Sequence, residues 1–187
     1  MKILVAYASA HGSTREVAHF IGRVLYTYGA EVTVANAADV QSVEGYDVYV
    51  LGSAIHGGLW LQEIFTLFDR FEKQLAEKPM YFWVTCIRAL ENDGREHALK
   101  YYFDPKTLDA FDVRGKAVFT GQLDTKTITR QEQWYLVANY DGKLDAGDIR
   151  QDYRDWQAIA AWTNDLAKNI GLVPEFDTVP GGTLATD

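Results

Sequence analysis

Cysteine is almost missing from this chain: Cys86 is the single one among 187 residues. An intramolecular disulfide is therefore excluded, and so is every metal site built from several thiolates. Basic charge is in deficit, with 18 Lys and Arg against 26 Asp and Glu, a net charge of −8 and a pI near 5.0. That balance argues against a general affinity for nucleic-acid phosphates. It leaves docking to basic partners or a plainly solvated acidic surface. Long apolar runs are lacking too. The first, Lys2 to Ala8, is seven residues long, too short for a signal-peptide core, and no stretch approaches a membrane span. The expected location is the cytoplasm, with no transmembrane segment and with peripheral membrane contact left open.

Several phosphate-binding signatures are also absent. There is no Gly-x-x-x-x-Gly-Lys-Ser/Thr, which disfavours a Walker-type NTPase. Gly-x-Gly-x-x-Gly does not follow the first apolar run, which disfavours a dinucleotide fold. A phospho-acceptor domain would need acidic residues at the ends of the first and third strands, where Ala8-Ser9 and Gly52-Ser53 stand instead. The histidines at 11, 19, 56 and 97 share no metal-ligand spacing, so no metal site is expected. Internal repeats, low-complexity blocks and linkers are missing as well.

What remains is an ordinary globular composition, 48% apolar and 24% charged, arranged as short apolar runs alternating with helical periods. That alternation predicts an α/β fold, a parallel sheet with helices on both faces. Strands are expected at Lys2 to Ala8, Glu31 to Ala35, Asp47 to Ser53, Met80 to Cys86 and Lys116 to Thr120. A helix from about Ser13 to Tyr28 carries Val17, Ile21, Val24 and Leu25 on one face, with Gly29 as its stop. A second follows the stripe Leu61, Ile64, Phe65, Phe68, Phe71 and Leu75 and ends before Pro79. Further helices are expected over about Asp93 to Phe103, about Gln131 to Asn139, and from Asp155 with Ile159, Trp162, Leu166 and Ile170 inward. One domain over 1–171 is expected, with 172–187 as a mobile, Pro- and Gly-containing C-terminal tail.

The loop between the first strand and first helix, Ser9-Ala10-His11-Gly12-Ser13-Thr14, is the informative stretch. Unpaired N–H groups at a helix start and the positive end of the helix dipole together attract an anion. Ser9, Ser13 and Thr14 add hydroxyl donors, and Gly12 permits a tight turn and a close approach. For Ser13 alone, capping the helix with Glu16 completing a capping box is the plainer alternative, and both roles can coexist.

Two stretches resemble the flavodoxin superfamily. Tyr-Ala-Ser-Ala-His-Gly-Ser-Thr-Arg-Glu-Val-Ala is similar to its FMN phosphate loop, and Tyr46 to Gly58 is similar to its third strand and following loop. The Gly-Ser-Ala-Ile-His-Gly-Gly turn and the segment Asp148 to Ile159 resemble the branch that includes menaquinone-dependent protoporphyrinogen oxidases. The resemblance spans about residues 1 to 170. It implies a three-layer sandwich with a five-stranded parallel sheet of order 2-1-3-4-5. It also implies FMN at the switch point between strands one and three, which is the general rule for this fold.

The same resemblance implies a set of cofactor contacts. Ser9, Ala10, His11, Gly12, Ser13 and Thr14 would hold the phosphate. Ser53, Ala54, Ile55, His56, Gly57 and Gly58 would lie along the ring, with Thr85, Cys86 and Ile87 on its far side. His56 is the candidate catalytic side chain, as a proton donor to the reduced ring or a substrate contact, with an ordinary loop histidine as the alternative. Trp60 is a candidate ring neighbour. Arg88, Arg95 and Lys100 are candidates for the entrance of an acidic substrate, or equally a solvated helix face. Cys86 reads as a buried, unreactive thiol.

The function implied is an oxidoreductase passing electrons from an organic donor to a quinone. The alternative is an electron carrier that exchanges electrons with a redox protein and has no substrate of its own. Oxidases of this type carry a basic insertion, whereas Ile87 to Arg114 here is mixed in charge. Carrier flavodoxins place a Trp or Tyr in the loops flanking the ring, where this chain offers Ile55 and His56.

Overall fold

The computed structural model describes residues 1–124, 126–132, 134 and 150–174. Strand β1 (Lys2–Ala8) lies inside the sheet and is buried on both faces after its first residue. Its side chains alternate, so Leu4, Ala6 and Ala8 join one core cluster while Ile3, Val5 and Tyr7 join the other. Helix α1 (Ser13–Thr27) follows and buries Val17, Ile21 and Leu25 of the expected stripe together with Ala18, while Val24 is half-buried. Strand β2 (Glu31–Asn36) pairs parallel to β1 at the sheet edge.

Strand β3 (Val48–His56) pairs with β1 on its other side. It turns back into the two-residue strand β4 (Leu59–Trp60), antiparallel to it. Helix α2 (Gln62–Ala76) leads to β5 (Pro79–Thr85), and α3 (Gly94–Tyr101) and α4 (Pro105–Leu108) lead to β6 (Asp112–Phe119). Strands β7 (Gln122–Asp124) and β8 (Arg150–Asp152) form a separate antiparallel pair, and α5 (Trp156–Asn169) is the last element.

The main sheet has the order β2-β1-β3-β5-β6, with β4 added beside β3. Counting only the parallel strands, this is the order 2-1-3-4-5. Helices α1 and α5 cover one face, where Ile159, Trp162 and Leu166 of α5 join the core cluster and Trp162 meets Tyr81 of β5 and Phe119 of β6. The other face is covered by α2 and α3 with a core rich in Phe and Trp. The result is the three-layer α/β sandwich of the flavodoxin-like fold.

Several boundaries differ from the sequence expectation. Strand β3 runs three residues past Ser53, because Ile55 and His56 find antiparallel partners in Trp60 and Leu59. Strand β6 starts at Asp112 rather than Lys116, since its exposed first half is held by pairing with β5 rather than by burial. The expected unbroken second helix is interrupted at Phe71, whose φ of −133° and ψ of 16° leave helical values. Of the helix expected over Gln131 to Asn139, residues 133 and 135–139 lie outside the described residues, as does the tail from 175 onward.

Parallel pairing brings the strand ends to one edge. Ala8 sits opposite Ser53, Ala54 opposite Thr85, and Thr85 opposite Phe119. Every loop singled out in the sequence leaves from that edge.

Candidate functional site

The first loop is built to leave donors over. Gly12 is the N-cap of α1 at φ +93°, a left-handed conformation that favours glycine, and no side chain caps the helix. The first intrahelical bond runs from Glu16 N–H to the Gly12 carbonyl at 3.1 Å. The N–H groups of Ser13, Thr14 and Arg15 therefore have no acceptor within the helix. The capping box expected of Ser13 and Glu16 does not form. Glu16 turns instead to Arg154, whose Nη1 lies 2.5 Å from its carboxylate.

The loop hydroxyls are only partly engaged. Ser9 Oγ accepts from Gly12 N–H at 3.0 Å, and its own proton stays available. Thr14 and Thr85 share one hydrogen bond of 2.7 Å between buried hydroxyls, so one of the two protons is left to donate elsewhere. Unpaired amides and hydroxyl protons at a helix N-terminus are what a phosphate requires, and the loop fits that group.

The second loop is a hairpin rather than an open loop. Gly57 and Gly58 have φ of +59° and +83°, the pair of positive values that a tight two-residue turn needs. Ser53 is fully buried, and its Oγ accepts from Leu61 N–H at 2.9 Å while donating to the Ala54 carbonyl at 2.8 Å. Its hydroxyl is thus committed to closing the hairpin, leaving Ala54 and Ile55 half-buried and His56, Gly57 and Gly58 exposed.

Trp60 is only 8% exposed and packs among Phe65, Phe68, Phe82 and Phe103, with centroid distances of 5.6–6.5 Å. It anchors the hairpin in the core.

The third segment starts at Thr85 and passes through Cys86 into a short 3₁₀ turn, Ile87–Leu90. Burial pushes the Cys86 thiol up to about 11, against smaller opposing bonds from the Ala89 and Arg88 backbone. It is protonated at neutral pH. The three candidate entrance cations are not gathered into one cradle. Arg88 pairs with Glu91 at 3.5 Å, Lys100 lies 5.0 Å over the Tyr101 ring, and Arg95 is exposed on α3.

Two further residues at this edge are not among the candidates that the sequence points to. Glu132 touches both candidate histidines, with Oε1 accepting from His11 Nε2 at 2.8 Å and lying 2.9 Å from His56 Nε2. Partial burial alone would push its carboxyl up. The Thr129 N–H bond and the His11 contact outweigh it and hold the carboxyl down at about 2. Thr129-x-x-Glu132 is a capping-box spacing and could have been found. Arg154 could not, because its partners Glu16, Gln122 and Asp152 are scattered along the chain. Its guanidinium also lies 4.6 Å over the Trp156 ring, tying the β7–β8 pair to the start of α1.

A family model described as a flavodoxin domain matches residues 4–134, more than half of the chain. The chain belongs to the flavodoxin domain family. Membership points to FMN as the cofactor of this edge, in agreement with the fit of the first loop.

Protoporphyrinogen IX dehydrogenase [quinone] of Escherichia coli K12 is 23% identical over 176 residues, covering 89% of this chain and 95% of that one. Among solved structures, the flavodoxin of Streptococcus pneumonia TIGR4 matches with a TM-score of 0.59 at 12% identity, covering 90% and 99%. Flavodoxin 1 of Bacillus cereus matches with 0.54 at 15%, covering 90% and 98%. These structural likenesses establish the fold. Among the described residues, no helix is long and apolar enough to cross a membrane.

Proposed function

We propose that this chain is an FMN-dependent oxidoreductase that passes electrons from an organic donor to a quinone. The observation that carries the reading is a cleft of about 120 Å³ beside the hairpin turn, bordered by Gly58, Leu59, Trp60, Phe65, Tyr101 and Leu108. A carrier needs only an exposed ring edge. A recess of this size with aromatic walls next to the ring loop takes the edge of a flat apolar ring rather than a whole ligand. The 23% identical relative, named for protoporphyrinogen IX and a quinone, supports the same assignment.

In this reading the phosphate is held by the N–H groups of Ser13 to Arg15 and the hydroxyls of Ser9 and Thr14. Ala10 and His11 complete the loop. The backbone of Ala54 to Gly58 borders the ring on one side and Thr85 to Ile87 on the other. Bound FMN supplies the hydride or electron transfer, so the protein provides no nucleophile. Glu132 engages His56 at Nε2, which leaves Nδ1 as the ring nitrogen for a substrate contact.

The test starts from the visible spectrum after reconstitution with FMN and removal of the excess. One shifted flavin per chain is expected, followed by catalytic turnover of protoporphyrinogen with a quinone acceptor. Retained flavin without turnover would favour the carrier, which exchanges electrons only with protein partners. No retained flavin would remove both readings.

A further inference from the structure

The phosphate loop and the hairpin follow different strands, yet one carboxylate reaches both. Its own position is fixed independently of either. Glu132 Oε2 accepts from Thr129 N–H at 2.6 Å, and Thr129 Oγ1 accepts from Glu132 N–H at 3.2 Å. That reciprocal pair pins the start of the side chain and uses one carboxylate oxygen. The other oxygen faces His11 and His56. The Glu132 side chain is 18% exposed, against 30% for His11 and 56% for His56, so the carboxylate is the innermost of the three.

We propose that Glu132 is a positioning residue that fastens His11 to His56, so that the phosphate loop and the ring hairpin meet FMN as one preformed surface. The inference rests on the reading that FMN lies between those loops. Holding two loops together before binding removes the ordering that binding would otherwise require, and this strengthens retention. Nε2 of each histidine faces the same carboxylate oxygen, His11 at 2.8 Å and His56 at 2.9 Å. Both halves of the clasp therefore depend on that one oxygen.

The experiment compares wild type, Glu132→Ala and Glu132→Gln. Side-chain ¹H–¹⁵N spectra of the flavin-free protein at one pH report the histidines directly. Glu132→Ala should move the signals of both His11 and His56 while sparing His19 and His97. Glutamine has one acceptor oxygen, which the Thr129 N–H takes in the capping pattern, so Glu132→Gln turns an NH2 group toward the histidines and should move both His11 and His56. In fluorescence titrations the FMN dissociation constant should rise about tenfold for Glu132→Ala and about threefold for Glu132→Gln.

Unmoved His56 signals in Glu132→Ala would overturn the proposal. So would unchanged or tighter FMN binding, which would make the carboxylate a rival of the phosphate for His11. If Glu132→Ala fails to fold, Glu132→Gln carries the test on the same two readouts. Failure of wild type to retain FMN removes the cofactor reading alone, and the histidine signals still decide whether the clasp exists.

Discussion

The Ser9–Gly12 loop and the Ile55–Trp60 hairpin leave neighbouring strands at the same edge, yet they are held in opposite ways. The loop is under-satisfied: its helix has no side-chain cap, and its hydroxyls keep protons to spare. The hairpin is over-determined. Its strands pair, its Ser53 hydroxyl is engaged on both sides, and Trp60 is sunk among four phenylalanines. A segment that grips an anion must keep donors open, because a partner inside the protein would compete. A segment that borders a flat ring must be stiff, because its job is placement.

The sharpest way to break that contrast is to remove the anchor. Trp60→Ala should cost about 3–5 kcal/mol of stability, read from urea denaturation, as large-to-small core changes do. A loss below about 1 kcal/mol would mean the hairpin is held by its turn alone.

Gly12→Asp should act the other way, leaving the fold in place and weakening FMN binding at least a hundredfold, or about 2.7 kcal/mol. It puts a Cβ on a left-handed backbone that favours glycine and sets a negative charge in an anion site. Flavin affinity unchanged in a folded variant would place the phosphate elsewhere.

Ser53→Ala is the milder test of the hairpin. It strands the half-buried Leu61 N–H and should cost about 1–2 kcal/mol by the same denaturation. The smallest effect is electrostatic. The Glu132 carboxyl is lowered from 4.5 to about 2 in the folded chain. Its contribution is therefore complete above pH 4.5 and fades as the pH falls toward 2. The stability gap between wild type and Glu132→Gln should be larger at about pH 6 than at about pH 3.

How far the sequence reaches is set by the range of each cause. β1, α1 and β5 are legible because their apolar runs and stripes record burial that occurs within the element itself. The phosphate loop is legible for the same reason, since its donors, its glycine and the helix start are contiguous. The hairpin reads as a loop in the sequence because β4 has only two residues, too few for any periodicity, although Gly57-Gly58 marks the turn.

Glu16 shows a local rule losing to a tertiary one. Its spacing from Ser13 fits a capping box, and a buried guanidinium from residue 154 draws it away. Glu132 illustrates both ranges at once. Its bond to Thr129 follows from a three-residue spacing, and its contact with His11 spans 121 residues and leaves no trace in local pattern.

Cys86 offers a consequence of a different kind. A thiol held at about 11 and only 7% exposed has about one molecule in 10⁴ ionised at neutral pH. Alkylating dyes and peroxide should therefore pass the native chain by and react once β5 comes away from β6, whose Phe119 carbonyl accepts from Cys86 N–H at 3.0 Å. The chain carries one built-in stopwatch for the opening of its own sheet, and labelling rate against denaturant would read it without any engineered probe.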